Sequence, residues 1–207
     1  SIRASWRATN AALERSGFAT VSVADVVDAM RFESTQAFAR HIGCNDPGVL
    51  SALVDDYFRT LAVCTDDVLP YEEVFDLIDS VRAEGVVTGI VSNNGASFVR
   101  SVLARLGTDN LFDMVLGDGD AVAGKPAPDG ILAILARHNI PSWRAAYIGD
   151  AGSDAEAARR AGSFAIGVRW THDRYGLPPG EGFPRFARSP AELSIIVAQW
   201  RNALGHA

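Results

Sequence analysis

The stretch AAYIGDAGSD (residues 145–154) is apolar at first, turns at Gly149 and then places Asp150 and Asp154 one helical turn apart. Its apolar half predicts a buried strand, and the following SDAEAARRAG (153–162) predicts a helix. Asp150 therefore ends its strand and Asp154 lies in the first turn of the helix. This spacing allows both carboxylates to face one point.

Two carboxylates about 4 Å apart repel each other, so a buried pair needs a cation or a proton. A hard ion such as Mg²⁺ fits, because it accepts one or two carboxylates together with waters and phosphate oxygens. Alternatively, Asp154 only favours its helix N-terminus, where an acid is stabilised by about 0.3–1 kcal/mol. That alternative does not explain Asp150 at the strand end, so the pair is predicted as a magnesium site.

Strand and helix patterns alternate over the last two thirds of the chain. Nearly continuous apolar strands in this order predict an α/β fold, a doubly wound parallel sheet with helices on both faces. In such sheets, ligands bind beyond the carboxyl ends of the strands. The predicted strands are VVTGIV (86–91), DMVLG (113–117), AAYIG (145–149) and SFAIGVRW (163–170).

The first third of the chain predicts helices only. In NDPGVLSALVDDYFRTLAV (45–63), Asp46 is a capping residue and Pro47 occupies the first helical position. We therefore expect residues 6–66 to form a separate helical unit. Residues 1–5 and 67–207 are assigned to the α/β core.

Composition restricts the classes of function. The chain of 207 residues is 48% hydrophobic and 21% charged, as in ordinary soluble globular proteins. A net charge of −6 argues against a nucleic-acid partner but not against a small phosphorylated ligand. Cys44 and Cys64 lack the spacing of a zinc site or a disulfide scaffold, which fits a reducing compartment.

No apolar run is long enough for a membrane span, and the N-terminus is too polar for a signal peptide. We expect a cytoplasmic protein with no membrane partner.

Two further polar groups follow predicted strands at the ligand end of the sheet. Ser92 offers a hydroxyl and neighbouring backbone amides at a helix start, which suits an anion. Lys125 lies between Gly124 and Pro126, a rigid frame that suits contact with phosphate. A capping serine or a solvated lysine is common by itself. The ordered set on three successive strands is more specific.

These segments resemble the haloacid dehalogenase superfamily, and in particular its capped, phosphoglycolate phosphatase-like branch. The resemblance implies a Rossmann-like core with an α-helical cap, here residues 6–66. IVSNN (90–94) resembles the second family motif, GKPAPD (124–129) the third and IGDAGSD (148–154) the fourth. AGSFAIGVRW and SPAELSIIV also resemble that branch.

The resemblance also implies a mechanism. An aspartate on the first strand attacks phosphorus to form an aspartyl phosphate, and a second aspartate acts as acid and base. Mg²⁺ is held by Asp150 with support from Asp154. Ser92, the Asn93 amide and Lys125 bind the phosphoryl oxygens, so the implied catalytic residues are Ser92, Lys125 and Asp150. The implied substrate is a small phosphorylated metabolite.

One family motif is missing. The nucleophile motif should end a central strand between the strands that finish at Ser92 and Asp150. We expect its aspartate just upstream of Ser1, because losing a central strand forfeits about 1.5–3 kcal/mol for each buried apolar residue. MVLGDGDAV (114–122) imitates the motif with Asp118 and Asp120. However, Lys125 follows it at once and no cap lies between.

Several alternatives stay open. Without its nucleophile, the chain could be a catalytically inactive relative that binds a ligand or a partner. A haloacid dehalogenase or a phosphomutase could use the same fold, although the GDAGSD carboxylates argue against the dehalogenase. Arg31, Arg40 and His41 are candidate substrate contacts in the cap, or simply solvated residues. Oligomeric state is left open.

Overall fold

The computed structural model describes residues 2–30, 32, 34–118, 120, 123–174, 178 and 180–205. The chain divides into two compact units, residues 1–70 and 71–207. The prediction assigns residues 1–5 and 67–70 to the α/β core, whereas the compact unit formed by the helices includes both segments. The first helix begins at Ile2 and continues without a break, and Ile2, Ala4 and Ser5 are buried along it.

The first unit consists of helices packed around an apolar centre. Its buried residues Leu13, Phe38 and Leu53 come from the first, third and fourth helices and belong to one cluster. The fourth helix begins as predicted, because the Asp46 carboxylate accepts hydrogen bonds from the amides of Gly48 and Val49. The helices are α1 (Ile2–Arg15), α2 (Val23–Ala29), α3 (Ser34–Ile42) and α4 (Pro47–Val63).

The second unit alternates strands and helices. No helix in the described part of the chain is long and apolar enough to cross a membrane. Its elements are α5 (Glu72–Ala83), β1 (Gly89–Gly95), α6 (Ala96–Leu106), β2 (Met114–Asp118), α7 (Asp129–Arg137), β3 (Ala146–Gly149), α8 (Gly152–Ala161), β4 (Phe164–Val168), α9 (Trp170–Arg174), β5 (Phe186–Ala187) and α10 (Pro190–Leu204).

Strand β4 has helices on both of its faces. Ala165 belongs to a cluster with residues of α7 and α8, whereas Ile166 belongs to a cluster with residues of α10. Successive side chains of a strand point to opposite faces, so the two clusters lie on opposite sides of the sheet. Every strand pairing among the described residues is parallel. This is the predicted α/β architecture.

The strands form two hydrogen-bonded groups. The first is β1–β2 and the second is β3–β4–β5. Among the described residues, β1 and β3 each pair with a strand on one side only. The Thr88 carbonyl accepts from the Asp113 amide beside β2, so strand alternation turns the Val91 carbonyl to the unpaired edge of β1. On β3, Ile148 is 44% exposed although it is apolar.

Several strand boundaries differ from the prediction, most of all the end of β4 and both ends of β1, which runs on to Gly95 instead of ending at Val91. Strand β1 begins at Gly89 because α5 ends in a turn: Gly85 has φ 80° and the Val86 amide bonds the Val81 carbonyl. Strand β4 ends at Val168 because α9 begins at Trp170. The two-residue strand β5 was not predicted, since a pair of residues carries no periodic pattern.

Asp113 fastens the start of β1 to the start of β2. Its carboxylate accepts from the Thr88 amide at 2.9 Å and from the Arg82 guanidinium at 2.6 Å. Burial alone would raise the pKa of Asp113, but these donors outweigh burial and hold that pKa below its ordinary value. The ionised carboxylate therefore stabilises the folded state.

We expect Asp113→Ala to lower the free energy of unfolding at neutral pH by about 1–2 kcal/mol, because two donors lose their acceptor. An acid whose pKa falls on folding loses its stabilising effect as pH falls through the folded-state pKa. The difference from wild type should therefore be full above the ordinary aspartate pKa value of 3.8 and shrink as the pH falls below it. Urea denaturation at several pH values measures it, with the exposed Asp109→Ala as control. A loss that does not change with pH would contradict this role.

Candidate active site

Lys125 lies in the turn between β2 and α7, and its ammonium group is saturated by protein acceptors. Nζ is 2.6 Å from Asp154 Oδ1, 3.0 Å from the Val91 carbonyl and 3.0 Å from the Tyr147 hydroxyl. The side chains of Lys125 and Asp154 are only 12% and 6% exposed. A buried ion pair in this geometry is costly to break, because each partner would become an uncompensated charge.

The other oxygen of Asp154 shapes the start of α8. Oδ2 accepts from the amides of Asp150 at 3.1 Å and Ala151 at 3.0 Å. These amides point toward the carboxylate because free N–H groups and a positive dipole lie at a helix N-terminus. Gly149 leaves room for it, since a Cβ there would lie 2.5 Å from Asp154 Oδ2. The GDAGSD stretch thus buries one carboxylate beneath its own strand end.

The side chain of Asn93 holds the backbone of Lys125. Asn93 Oδ1 accepts from the Lys125 amide at 2.8 Å, and Nδ2 donates to the Lys125 carbonyl at 2.9 Å. The Ser92 hydroxyl accepts from the Asn94 amide at 3.1 Å. The end of β1 and the turn that carries Lys125 are therefore fixed to each other by both side chain and backbone.

Ser92, Asn93 and Lys125 share a small cavity at the carboxyl ends of β1 and β2. Its volume of about 10 Å³ corresponds to roughly one water molecule. Asp118, at the exposed end of β2, also lines it. The complete lining is Val91, Ser92, Asn93, Leu116, Gly117, Asp118, Ala123, Gly124 and Lys125.

Three ionisable groups of the site have altered pKa values. Burial alone would lower the pKa of Lys125, but Tyr147 and Asp154 outweigh burial and raise that pKa. Burial raises the pKa of Tyr147 to about 12. Burial, followed by the negative charge of Asp154, raises the pKa of Asp150, although His172 and Lys125 partly oppose the rise. At neutral pH, Lys125 is charged and Tyr147 is neutral.

The two acids fit a magnesium ion unequally. In the described part of the chain, no three His, Cys, Asp or Glu side chains form a cluster that could hold a metal. Asp150 is half-buried, and no hydrogen bond from a described residue reaches its carboxylate. Bound Mg²⁺ keeps most of its waters and needs only one or two carboxylates beside phosphate oxygens. The Asp150 carboxylate is therefore suited to coordinate it. Both oxygens of Asp154 already accept from protein donors, so its predicted role at the metal stays a prediction.

The structure separates the remaining candidates. Asp120 bonds Arg100 at 3.2 Å and the Gly117 amide at 3.3 Å, so of the two aspartates in MVLGDGDAV only Asp118 lines the cavity. In the first unit, Arg40 stacks on the Phe32 ring at 4.6 Å. Burial lowers the pKa of His41. Arg31 lies outside the described residues.

Tyr147 is the residue of this site that sequence reasoning missed. It lies within an apolar strand pattern, where an aromatic side chain is normally interpreted as part of the hydrophobic core. Two features of the sequence could have indicated it. A buried tyrosine hydroxyl needs a hydrogen-bond partner, and Lys125, as the only lysine in the sequence, is a distinctive candidate for that partner. The Val91 carbonyl was also missed, because side-chain patterns say nothing about which strand edge stays unpaired.

Residues 1–168 match the family model described as haloacid dehalogenase-like hydrolase. The chain therefore belongs to this family, and the resemblance seen in IVSNN, GKPAPD and IGDAGSD is confirmed.

Solved structures show the same fold. A haloacid dehalogenase-like hydrolase from Bacteroides fragilis is 21% identical with a TM-score of 0.80, covering 93% of this chain and 92% of that one. CbbY from Rhodobacter sphaeroides in complex with phosphate is 18% identical with a TM-score of 0.73, covering 92% and 89%. At such identities the likeness shows the fold alone, a Rossmann-like core with a helical cap.

The curated relatives match a shorter part of this chain than the solved structures do. The phosphoglycolate phosphatase of Escherichia coli (strain K12) is 29% identical over 128 residues, which are 62% of this chain and 50% of that protein. That of Salmonella typhi is 27% identical over the same length. The chain thus spans about half the length of the curated relatives it matches.

We expect Gly149→Ala to lower the free energy of unfolding by about 1–3 kcal/mol, because a methyl group would force Asp154 out of its place. Gly152→Ala is the matched control. Its added Cβ would come no closer than 3.6 Å to its nearest neighbour, so its effect should stay within about 0.5 kcal/mol. Urea denaturation of both variants measures the difference. Equal effects would show that Gly149 is not needed for the approach of Asp154.

Proposed function

We propose that this protein is a Mg²⁺-dependent phosphatase that hydrolyses a small phosphorylated metabolite. The observation that carries the proposal is Lys125, a buried cation fixed at the carboxyl end of parallel strands. It lies near an acid, Asp150, whose carboxylate receives no hydrogen bond from the described residues. The family and the phosphoglycolate phosphatases among its relatives support this class of reaction.

A count of charges explains why a metal would be required. Lys125 and Asp154 cancel each other, so the carboxylates of Asp150 and of Asp118, which also lines the cavity, leave the site negative. A dianionic phosphate ester would be repelled from it. A divalent cation on Asp150 would offset this charge, and it would supply charge stabilisation to the phosphoryl oxygens when bound.

Three residues of this chain would hold the phosphoryl group. Ser92, Asn93 and Lys125 line one small cavity, and the Ser92 hydroxyl, the Asn93 backbone amide and the Lys125 ammonium would be the donors to a phosphoryl group there. Asn93 has a second role, since its side chain fixes the Lys125 turn. Donors held in place before the reaction stabilise developing charge without having to reorganise.

The nucleophile would be an aspartate on a strand between β1 and β3. Among the described residues each of these strands is unpaired on one edge, which supports a position for another strand there. The aspartate would attack phosphorus while the ester oxygen leaves with a proton from a second acid. Water would then hydrolyse the resulting aspartyl phosphate. Asp118 is a less suitable nucleophile, because it ends the exposed tip of β2.

We expect the protein produced from its full coding sequence to release phosphate from p-nitrophenyl phosphate and from phosphoglycolate only with Mg²⁺, and a chelator to abolish release. Lys125→Ala should lower kcat/KM by about 100-fold or more, because a fixed donor to the phosphoryl group is lost.

Arg144→Ala is the control, since it removes an equal charge from an exposed position in the same unit. Intact mass shows whether residues precede Ser1. Failure of that protein to hydrolyse any of a broad panel of phosphorylated metabolites would overturn the proposal.

A catalytically inactive binding protein is the second candidate. Binding of phosphate and Mg²⁺ without turnover would support it. A phosphomutase shares this fold, as the likeness to a β-phosphoglucomutase from Clostridium difficile illustrates (TM-score 0.77), and a sugar-phosphate isomerisation assay separates it. We also propose a cytoplasmic location, which the free thiols of Cys44 and Cys64 support.

A further inference from the structure

The peptide group between Asp150 and Ala151 lies where β3 has ended and α8 has not yet begun. Its N–H, that of Ala151, donates to Asp154 Oδ2 at 3.0 Å. The N–H and C=O of a trans peptide group point in opposite directions, so the Asp150 carbonyl points away from this carboxylate. The plane of the peptide group is fixed fully only if something also contacts it on the carbonyl side.

Gly180 supplies the contact on the carbonyl side. Its backbone lies so close that a Cβ on Gly180 would overlap the Asp150 carbonyl oxygen. The same Cβ would lie only 2.8 Å from the Ala151 carbonyl carbon and 2.8 Å from the Gly152 nitrogen. Such an approach is possible only for a residue without a Cβ. The peptide group after Asp150 is thus enclosed between the Asp154 carboxylate and Gly180.

The residues that follow Gly180 continue across the first turn of α8, and we call residues 180–183 the strap. The backbone of Glu181 lies over Gly152, since a Cβ on Gly152 would be 3.6 Å from the Glu181 carbonyl oxygen. Gly182 has φ 91°, a backbone conformation that glycine adopts without strain. The strap therefore contacts the start of α8 through backbone atoms.

Phe183 anchors the end of the strap in the core. It is buried in one cluster with Ala155 and Ala158 of α8. Its ring also packs edge-on against the Phe186 ring, with the ring centroids 5.4 Å apart. An aromatic side chain buried in this way holds its backbone in place. Phe183 therefore keeps the strap, and Gly180 with it, against α8.

This contact matters for Asp150 because a magnesium ligand has to be placed accurately. Mg²⁺ requires nearly octahedral coordination with oxygens at about 2.0–2.1 Å, and groups that orient a metal ligand commonly change metal affinity by about 10–100-fold. The direction of the Asp150 side chain is set by the two peptide groups that flank its Cα. The preceding one is held by the bond of the Asp150 amide to Asp154 Oδ2 at 3.1 Å, and the following one is enclosed by Gly180.

We propose that Gly180 is a positioning residue for Asp150: by closing on the peptide group between Asp150 and Ala151, it holds the Asp150 side chain where it can coordinate Mg²⁺. The proposal rests on the role of Asp150 as the magnesium ligand proposed above. It adds a residue outside the three recognised motifs. The strap is thus part of the metal site although it supplies no ligand to it.

This role has a signature that a purely structural segment lacks. If the closed strap favours binding of Mg²⁺, then bound Mg²⁺ must favour the closed strap by the same factor. A segment that only covers the core would lower stability when altered, but it would leave the Mg²⁺ affinity unchanged and would not respond to the metal. Affinity and strap opening are therefore both measured.

Gly180→Ala tests the affinity. The added methyl group would overlap the Asp150 carbonyl oxygen, so the strap must lift or the peptide group must turn. We expect the Kd for Mg²⁺ to rise by about tenfold. It is measured by isothermal titration of MgCl₂ into the protein produced from its full coding sequence.

Gly205→Ala is the matched control for this titration. It adds the same methyl group at the end of α10, where φ is −74° and a Cβ would come no closer than 3.6 Å to its nearest neighbour. Its Kd for Mg²⁺ should equal that of wild type. Circular dichroism verifies that both variants are folded.

Strap opening is measured in the wild-type protein, so the test does not depend on any variant that might fail to fold. Glu181 is exposed, and glutamyl endopeptidase can cut after it only when the strap leaves α8. Cleavage of a transiently opened segment follows the population of its open form. We expect saturating Mg²⁺ to slow cleavage after Glu181 several-fold relative to cleavage after Glu72, an exposed residue at the start of α5.

Two failures are distinguishable. If the wild-type protein does not bind Mg²⁺, the magnesium site at Asp150 and the role of Gly180 are both overturned. If wild type binds Mg²⁺, only the role of Gly180 is overturned by either of two results. One is a folded Gly180→Ala variant with the wild-type Kd, and the other is cleavage after Glu181 that Mg²⁺ does not slow relative to Glu72.

Discussion

The site depends on the buried contact between Lys125 and Asp154. Two charges in a poorly solvated place are tolerated only when each is fully bonded, and the surrounding chain provides those bonds. Gly149 leaves the space, the amides at the start of α8 hold one oxygen of Asp154, and Lys125 takes the other. Asn93 and the Val91 carbonyl then keep the lysine from turning away. The strand ends around the cavity are thus arranged about one ion pair.

Because this pair is neutral as a whole, the net charge of the site comes from the other acids, Asp118 at the cavity and above all Asp150. Its carboxyl has no bonded partner among the described residues, and burial raises its pKa. Such a group is unfavourable for the folded protein unless a cation or a ligand compensates for it. Functional sites commonly keep such uncompensated groups at a cost in stability. Asp150 is therefore the strongest local argument for a metal.

The fold and the position of the site could be predicted from the sequence, whereas the roles of particular residues could not. The spacing of Gly149, Asp150 and Asp154, together with alternating apolar runs, predicted the parallel α/β fold and placed Ser92 and Lys125 at one end of it. The partition of roles between the two acids could not be predicted, because it depends on which carboxylate the α8 amides reach. Tyr147 was hidden for a similar reason, since only the three-dimensional path of β1 brings the Val91 carbonyl to its hydroxyl.

The structure also explains why the helical boundaries were easier to predict than those of the strands. Asp46 and Ser189 cap α4 and α10 through hydrogen bonds to nearby amides, and such local contacts leave a local signature in sequence. The start of β1 is set by the turn at Gly85 and by pairing with β2. A strand of the sheet is defined by its partners, which lie far away in sequence.

The central claim is that Asp150 needs a divalent cation before the Lys125 cavity can accept phosphate. Isothermal titration of inorganic phosphate into the protein, with and without Mg²⁺, tests it most directly, beside the same pair of titrations for Asp150→Asn. Binding of the two ligands should be mutually dependent. The account predicts phosphate binding to wild type only with Mg²⁺, and to the variant with no dependence on Mg²⁺. Equal phosphate affinity of the wild-type protein with and without Mg²⁺ would contradict it.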